Sequence, residues 1–277
     1  MPRLPRIAAA LLLALPALAM AQAKPQAEFK LEPYRKTIAL RASVNGVPGL
    51  FPFDTAGGST HVSPDYAKRI GCTPWGRLTG YQMHGQRLDT PRCDKLAFKI
   101  GATTFPLPVA GVLDVTALYP EGAAPVDGLI ALDLFEGKTI TIDFPGKRLI
   151  VESPESLRER TRDAREVPVR LEREMQGRSL GVSIESQTPK GPILFELDSG
   201  NGGTLLVAKE YAEFYGLDPS KHDPQEGDFE VLPGLRAKGM TFAAGITLDG
   251  NLGMPFLHDK VVTIDLAAGR MWIAYQR

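Results

Sequence analysis

The sequence predicts a mainly β protein built from two homologous lobes, and three observations support this prediction. Most segments are short, rich in Val, Ile, Thr, Phe and Leu, and bounded by turn residues, as strands are. Gly and Pro, which account for 28 and 23 of the 277 residues, are spread along the chain at intervals typical of turns. The chain also contains one sequence pattern twice, once in each half.

Residues 1–23 have the three parts of a secretory signal peptide. Arg3 and Arg6 form a basic region, an apolar run follows, and small residues precede a cleavage point at Ala21 or Ala23. The apolar run is too short to span a membrane, and no Cys near the cleavage point offers a site for a lipid. We therefore expect a secreted or periplasmic protein with no membrane anchor.

The charge and the cysteines limit the possible partners and compartments. The chain has 32 basic and 32 acidic residues, a balance that gives no attraction for nucleic acid or an anionic membrane. Cys72 and Cys93 predict one disulfide, and two separate buried thiols are the alternative. The four histidines lack the spacing of a metal site, so we expect no metal and no cofactor.

Turn residues predict several hairpins in the first half. A short polar segment between Gly80 and Gly85 predicts one hairpin tip, and the Asn-Gly pair at Asn45 predicts a two-residue turn. Strand–turn–strand patterns cover residues 37–54, 95–114 and 138–152.

The internal repeat aligns the two halves at two places, in the same order. With Asp54 over Asp198, Thr, Ser and small residues coincide at most of the positions that follow. With Asp127 over Asp249, 7 of 25 positions are identical without a gap. Small-residue turns recur in any β protein, but two ordered matches in each half favour a duplication.

The repeat places an N-terminal lobe at 28–152 and a C-terminal lobe at 167–277. Between them, residues 153–166 are charged and have no apolar stripe, which indicates a solvated linker rather than a binding arm. The first lobe has 22 more residues between its matched aspartates, 73 against 51, in the region of both cysteines.

The repeated segments resemble the aspartic peptidases of the pepsin and retropepsin superfamily. That family has an apolar pair before Asp-Thr/Ser-Gly and, later in each lobe, two apolar residues before a Gly. This chain has PFDTAGG with LIAL in one half and ELDSGNGG with NLGM in the other. The resemblance covers nearly all of the chain after the signal peptide. It implies two retropepsin-like β-barrel lobes related by a pseudo-two-fold axis, the acid-protease fold.

The resemblance also implies a catalytic pair, Asp54 and Asp198, facing each other across the lobes. Two carboxylates so close cannot both ionise, so they would share one proton. The ionised member would take a proton from water while the protonated member hydrogen-bonds the scissile carbonyl. Thr55 and Ser199 would hydrogen-bond across the interface.

Two further features of the site follow from the resemblance. Small residues, Ala56 and Gly200, would let the backbone approach the carboxylates and donate N–H groups to them. The hairpin near Tyr81, in the N-terminal lobe, would be a flap that closes over a bound peptide.

The first lobe departs from the family pattern at two positions. Ala56 and Ala131 stand where the family has glycine, whereas the second lobe keeps Gly200 and Gly253. A positive φ at residue 56 would cost about 1 kcal/mol or more, while an extended backbone would tolerate the methyl group. These substitutions predict a shift of Asp54 and leave open whether the site is active.

Three functions remain as hypotheses. The first is an exported aspartic endopeptidase, a monomer that hydrolyses a peptide or protein substrate. The second is a non-catalytic peptide-binding protein of the same fold, which the two alanines favour. The third is a structural envelope protein with no peptide-sized cleft and no raised pKa at either Asp. A serine hydrolase is disfavoured, because Ser199 lacks the sequence context of a nucleophile, and we expect Ser199 to be a structural hydroxyl.

Overall fold

The computed structural model describes residues 23–275, so the predicted signal peptide lies outside the described residues except for Ala23. Strands dominate the described chain, as the turn-bounded apolar segments predict. The strands of the first half are β1 (Ala27–Lys30), β2 (Glu32–Tyr34), β3 (Thr37–Val44), β4 (Val47–Pro52), β5 (His61–Val62), β6 (Trp75–Tyr81), β7 (Arg87–Ile100), β8 (Thr103–Val112), β9 (Gly128–Leu129), β10 (Thr139–Asp143) and β11 (Arg148–Val151).

The second half has a similar series of strands. They are β12 (Arg165–Val167), β13 (Val169–Glu172), β14 (Gly181–Thr188), β15 (Gly191–Leu197), β16 (Leu205–Ala208), β17 (Gln225–Leu232), β18 (Leu235–Ala244), β19 (Gly250–Leu252), β20 (Lys260–Asp265) and β21 (Arg270–Tyr275). The helices are short: α1 (Pro64–Arg69), α2 (Pro154–Thr161), α3 (Lys209–Ala212) and α4 (Met254–Leu257), with 3₁₀ turns at Val115–Leu118, Leu132–Phe135, Met175–Gly177 and Glu213–Tyr215. Within residues 23–275, no helix is both long and apolar enough to cross a membrane.

The N-terminal lobe is one eight-stranded sheet. Its main path runs β2-β3-β7-β8-β5-β9, while β4 pairs with β3 and β6 pairs with β7. Asn45 and Gly46 have φ angles of 51° and 78°, the left-handed conformation that a tight Asn-Gly hairpin turn requires. The predicted disulfide is present, and it links Cys72 in the loop after α1 to Cys93 on β7. The hairpin predictions are therefore confirmed in this lobe.

The C-terminal lobe repeats this design with seven strands in the order β13-β14-β15-β19-β16-β18-β17. In both lobes the strand before the matched Asp runs parallel to the segment matched later in the repeat. β15 pairs in parallel with β19, and Phe53 forms a parallel bridge with Ile130. The duplicated sequence therefore folds into two lobes with the same local topology at each Asp.

A third sheet joins the lobes, in the order β1-β11-β10-β20-β21-β12. Its centre is the antiparallel pair of β10 and β20, in which Thr141 lies opposite its own repeat counterpart, Thr263. Their hydroxyl groups are buried and 2.8 Å apart. The pseudo-two-fold axis thus passes between these two residues.

The segment predicted to link the lobes contains α2. Ser153 caps this helix, because its hydroxyl oxygen accepts a hydrogen bond from the Ser156 N–H. In turn, the Ser156 hydroxyl oxygen accepts a hydrogen bond from the Ser153 N–H. β12 begins at Arg165 and pairs with β21, so the chain enters the joining sheet directly after the helix.

Candidate active site

Equivalent backbone contacts hold Asp54 and Asp198. The chain leaves β4 and donates a hydrogen bond from the Asp54 N–H to Ile130 O at 2.9 Å. In the second lobe, the Asp198 N–H donates to Leu252 O at 3.0 Å. Ile130 and Leu252 belong to the later matched segment of each half. The two repeated elements therefore meet in each lobe and fix an acid at the same point.

Thr55 and Ser199 lock the two loops together. The Thr55 N–H donates to Ser199 Oγ at 3.1 Å, and the Ser199 N–H donates to Thr55 Oγ1 at 3.0 Å. Each hydroxyl also donates across the interface, from Thr55 to Leu197 O at 2.6 Å and from Ser199 to Phe53 O at 2.8 Å. Both side chains are buried. These four bonds fix the distance and orientation of the loops that carry the acids.

The carboxyl group of Asp54 lies against the loop that carries Asp198, since a Cβ atom on Gly200 would lie 2.4 Å from Asp54 Oδ2. Burial, followed by the charge of Asp198, raises the pKa of Asp54 to about 8. Burial also raises the pKa of Asp198, while hydrogen bonds from Asn251 and from the loop backbone oppose that rise. With a pKa of about 8, Asp54 retains its proton at neutral pH.

The two acids differ in the donors they receive. Asp198 accepts from the Gly200 N–H at 2.8 Å, from the Asn201 N–H at 2.9 Å and from Asn251 Nδ2 at 2.8 Å. Asp54 accepts from the Ala56 N–H at 2.9 Å, and the Gly57 backbone also lowers its pKa to a smaller extent. Because N–H donors stabilise the ionised form, negative charge is favoured on Asp198 and the shared proton on Asp54.

Sequence reasoning missed Asn251 and Glu196, which extend this hydrogen-bond network. Asn251 is fully buried, and its Nδ2 also lies 3.3 Å from Glu196 Oε2. Asn201 Nδ2 donates to Asn251 Oδ1 at 3.0 Å and so fixes the orientation of the amide. Both Glu196 and Asn251 stand where the family pattern has an apolar residue, and their lobe-one counterparts are Pro52 and Leu129. These polar residues at apolar positions of the pattern are the sequence feature that could have identified Glu196 and Asn251.

The structure explains why the first lobe can have Ala56 where the second lobe has Gly200. A Cβ atom on Gly200 would lie 2.4 Å from Asp54 Oδ2, so no side chain fits there. Ala56 is not among the residues with positive φ, and its methyl group causes no backbone strain. The positive φ that would make alanine costly is therefore absent, and residue 56 lies in a turn rather than in an extended segment.

The backbone surroundings also explain why the first lobe can have Ala131 where the second lobe has Gly253. A Cβ atom on Gly253 would lie 2.5 Å from Thr204 O and 2.6 Å from Asn201 O, so glycine is needed there. In the first lobe the counterpart of Asn201 is Gly57, and Ala131 is buried with an extended backbone (φ −111°, ψ −178°). The alanine is thus compatible with an ordered loop.

Asp133 supports the lobe-one loop and was also missed from the sequence. Its carboxylate accepts hydrogen bonds from the Thr60 N–H at 2.9 and 3.0 Å and from Thr60 Oγ1 at 2.6 Å. Thr60 Oγ1 in turn accepts from the Ala131 N–H at 3.0 Å. Burial raises the pKa of Asp133 to about 6. Neighbouring His61 is buried and lines the cleft, and burial lowers its pKa.

The hairpin of β6 and β7 covers the acids, as a flap would. At its tip, Met83 O accepts from the Thr247 N–H at 2.8 Å and from Thr247 Oγ1 at 3.1 Å. His84 Nδ1 lies 3.2 Å from Gly245 O. These contacts join the tip to the C-terminal lobe and roof a cavity of about 480 Å³ that both aspartates line. Among the described residues, no cluster of three His, Cys, Asp or Glu side chains suits a metal ion.

Met175 enters this cavity from the C-terminal lobe. It has a φ of 49° in the turn between β13 and β14, and its Sδ accepts from Ser59 Oγ at 3.5 Å. A Cβ atom on Gly80 of the flap would contact its Sδ at 3.5 Å. The turn of one lobe thus helps to shape the cavity beneath the flap of the other.

Comparisons with known proteins identify the fold. No model of a protein family matches the chain, and no curated protein matches it in sequence. Basic 7S globulin from soybean is similar in structure, with a TM-score of 0.58 and 10% identity over 89% of this chain and 94% of that one. Conglutin gamma, a basic 7S globulin from lupine seeds, has a TM-score of 0.57 and 9% identity over 91% of this chain and 96% of that one.

Identities this low are informative about the fold alone. The chain has the mainly β, pepsin-like two-lobe fold of basic 7S globulin, which confirms the predicted fold class.

Proposed function

We propose that this protein is an exported aspartic endopeptidase in which Asp54 and Asp198 activate water for peptide hydrolysis. The close approach of the two acids supports the proposal most strongly, because the Asp54 carboxyl lies against Gly200 of the Asp198 loop and the charge of Asp198 raises the pKa of Asp54. A single proton held by such a pair provides one acid and one base at the same place. The cavity between the lobes has a volume typical of ligand sites and is roofed by a flap.

The unequal hydrogen bonding assigns the roles. Asp198, with three N–H donors, is the ionised base and takes a proton from a water molecule whose oxygen attacks the peptide carbonyl. Asp54 carries the shared proton and donates it to the carbonyl oxygen, which gives a tetrahedral diol. Collapse of the diol breaks the C–N bond, the amine leaves with the proton that Asp198 received, and one diol hydroxyl returns its proton to Asp54 as the carbonyl re-forms.

Binding without cleavage is the second candidate function, and two observations favour it. Ala56 adds a methyl group beside the acids, and both matched structures are described as basic 7S globulins, with no hydrolytic activity in that description. An extended peptide would then add to the cleft by strand pairing and side-chain pockets. The third hypothesis, a structural platform, required that there be no cleft and no raised pKa at the acids. The structure has a cleft, and the pKa of Asp54 is raised, which argues against this hypothesis.

We further propose that the protein acts outside the cytoplasm, secreted or periplasmic. The disulfide between Cys72 and Cys93 supports this location, because such bonds persist in oxidising compartments. A monomer without a cofactor, a membrane anchor or a nucleic-acid partner fits the proposal, and its partner is a peptide or protein substrate.

Replacement of each acid tests the proposal. We expect Asp54→Asn and Asp198→Asn to lower the cleavage rate of unfolded casein by at least about 1,000-fold, because each removes the shared proton chemistry. The exposed Asp223→Asn is the matched control and should keep full activity. Circular dichroism establishes that all three variants fold. Wild-type protein that binds peptides but cleaves none between pH 3 and 9 would select the second candidate.

A further inference from the structure

One wall of the cleft is strongly acidic. Glu172, Glu174 and Glu196, all from the C-terminal lobe, line the cavity together with the two aspartates. In the part of the chain that the structure describes, no Lys or Arg lines this cavity. Five carboxyl groups therefore face one ligand site with no basic side chain except histidine to balance them.

Glu196 has the most defined position of the three glutamates. It lies on β15, two residues before Asp198, and both residues line the cavity. On the next strand, a Cβ atom on Gly181 would lie 3.6 Å from Glu196 Oε1, so the absence of a side chain leaves that oxygen accessible. Glu172 lies opposite Gly181 on β13. Three neighbouring strands thus place two carboxyl groups around one gap beside the catalytic pair.

One oxygen of Glu196 has no partner. Oε2 receives the long hydrogen bond from Asn251 Nδ2, and no donor among residues 23–275 reaches Oε1. Glu196 is partly buried and lines the cleft. Arg173, a nearby cation on the chain, is already paired with Glu136 at 2.7 Å. A carboxylate oxygen that has no donor and lies beside other carboxylates favours a ligand that donates there.

The electrostatic surroundings select the charge of that ligand. Burial and then the negative charges of Asp198, Asp54 and Glu172 raise the pKa of Glu196 well above its ordinary value. An incoming cation reverses this effect, because an opposite charge at hydrogen-bond distance favours the carboxylate. Cation binding would therefore release a proton from Glu196 and leave a partly buried, hydrogen-bonded ion pair.

We propose that Glu196, with Glu172 beside it, forms a subsite for the Lys or Arg side chain of a peptide residue next to the scissile bond. This inference rests on the proposed function, since it names the substrate class of the same cleft. Glu196 acts here as a specificity-determining residue and not as a catalytic one.

Matched peptides test the subsite. Octapeptides carry Lys or its uncharged isostere norleucine at either of the two central positions, and both cleavage and binding by fluorescence anisotropy are measured at pH 7. We expect wild-type protein to favour the Lys peptides by about tenfold or more in kcat/KM and in affinity. Glu196→Gln, which keeps the shape and the acceptor for Asn251, should abolish that preference, so that Lys and norleucine peptides are cleaved and bound equally well.

The exposed Glu210→Gln is the matched control and should keep the preference. Cleavage of both peptides at equal rates would overturn the subsite and leave the peptidase proposal intact. Binding that prefers Lys and depends on Glu196, without any cleavage, would support the subsite and reject the peptidase. Lys peptides that bind no better than norleucine peptides, or do not bind at all, would also overturn the subsite.

Discussion

The carboxyl group of Asp54 occupies the space in which Gly200 would carry a side chain. A Cβ atom on Gly200 would lie 2.4 Å from Asp54 Oδ2 and 2.5 Å from its Cγ. The lobe-one counterpart of this glycine, Ala56, carries a methyl group on an unstrained backbone. The two acids therefore meet at a site whose local symmetry is broken, with the glycine retained on the side that Asp54 covers.

We expect Gly200→Ala to lower peptide hydrolysis by at least about 100-fold, because its methyl group must displace the Asp54 carboxyl. The overpacking should also reduce the free energy of unfolding by about 1–3 kcal/mol, measured by urea denaturation. Gly203→Ala is the matched control, since a Cβ atom there would meet no atom within 4 Å. Normal turnover by Gly200→Ala would contradict the observed packing.

Folding stability should fall between pH 4 and pH 8. The pKa of Asp54 rises from its ordinary 3.8 to about 8 on folding, so the folded state binds a proton that the unfolded state has lost. The stability that this proton provides is complete below about pH 4 and is lost as the pH rises through 8. Asp54→Asn should therefore raise the melting temperature relative to wild type at pH 8 and less so at pH 4, as measured by calorimetry. An equal effect at both pH values would be inconsistent with a buried shared proton.

The alkaline limit of hydrolysis should lie near pH 8. Cleavage requires the proton on Asp54, and the same raised pKa keeps it there at neutral pH. The pH profile of kcat/KM should accordingly show activity through neutrality and a decline above about 8. A sharp loss already above pH 5 would show that the acids are more exposed in solution than their burial here implies.

Asn251 should set the acidic limit. Its Nδ2 donates to Asp198 Oδ2, and this bond lowers the pKa of Asp198 against the effect of burial. Asn251→Leu restores the residue type found at the counterpart Leu129 and removes the donor. The acidic limb of kcat/KM should then move to higher pH by about one unit. If the acidic limb does not move in a variant that circular dichroism shows to be folded, Asn251 does not control the pKa of Asp198.

The features that the sequence predicted depend on local or repeated patterns. The Asn-Gly turn at Asn45 follows from backbone geometry, and the pairing of Asp54 with Asp198 follows from a repeat that places both at the same point of each lobe. The tolerance of Ala131 depends on the backbone conformation of its own loop, which is extended at that residue and has no periodic signal in the sequence. The docking of Thr247 on the flap joins loops of different lobes, and no sequence spacing predicts such a contact.

Thr141 and Thr263 show what the covalent connection of the halves makes possible. Because Thr141 pairs with its own counterpart, a free half would have an edge strand able to recognise an identical partner, as in a symmetric dimer. In such a dimer the two acids would have the same neighbours, and neither would be the preferred anion. Asn251 occurs in one half only. Joining the halves in a single polypeptide allows one acid to specialise as proton donor and the other as acceptor.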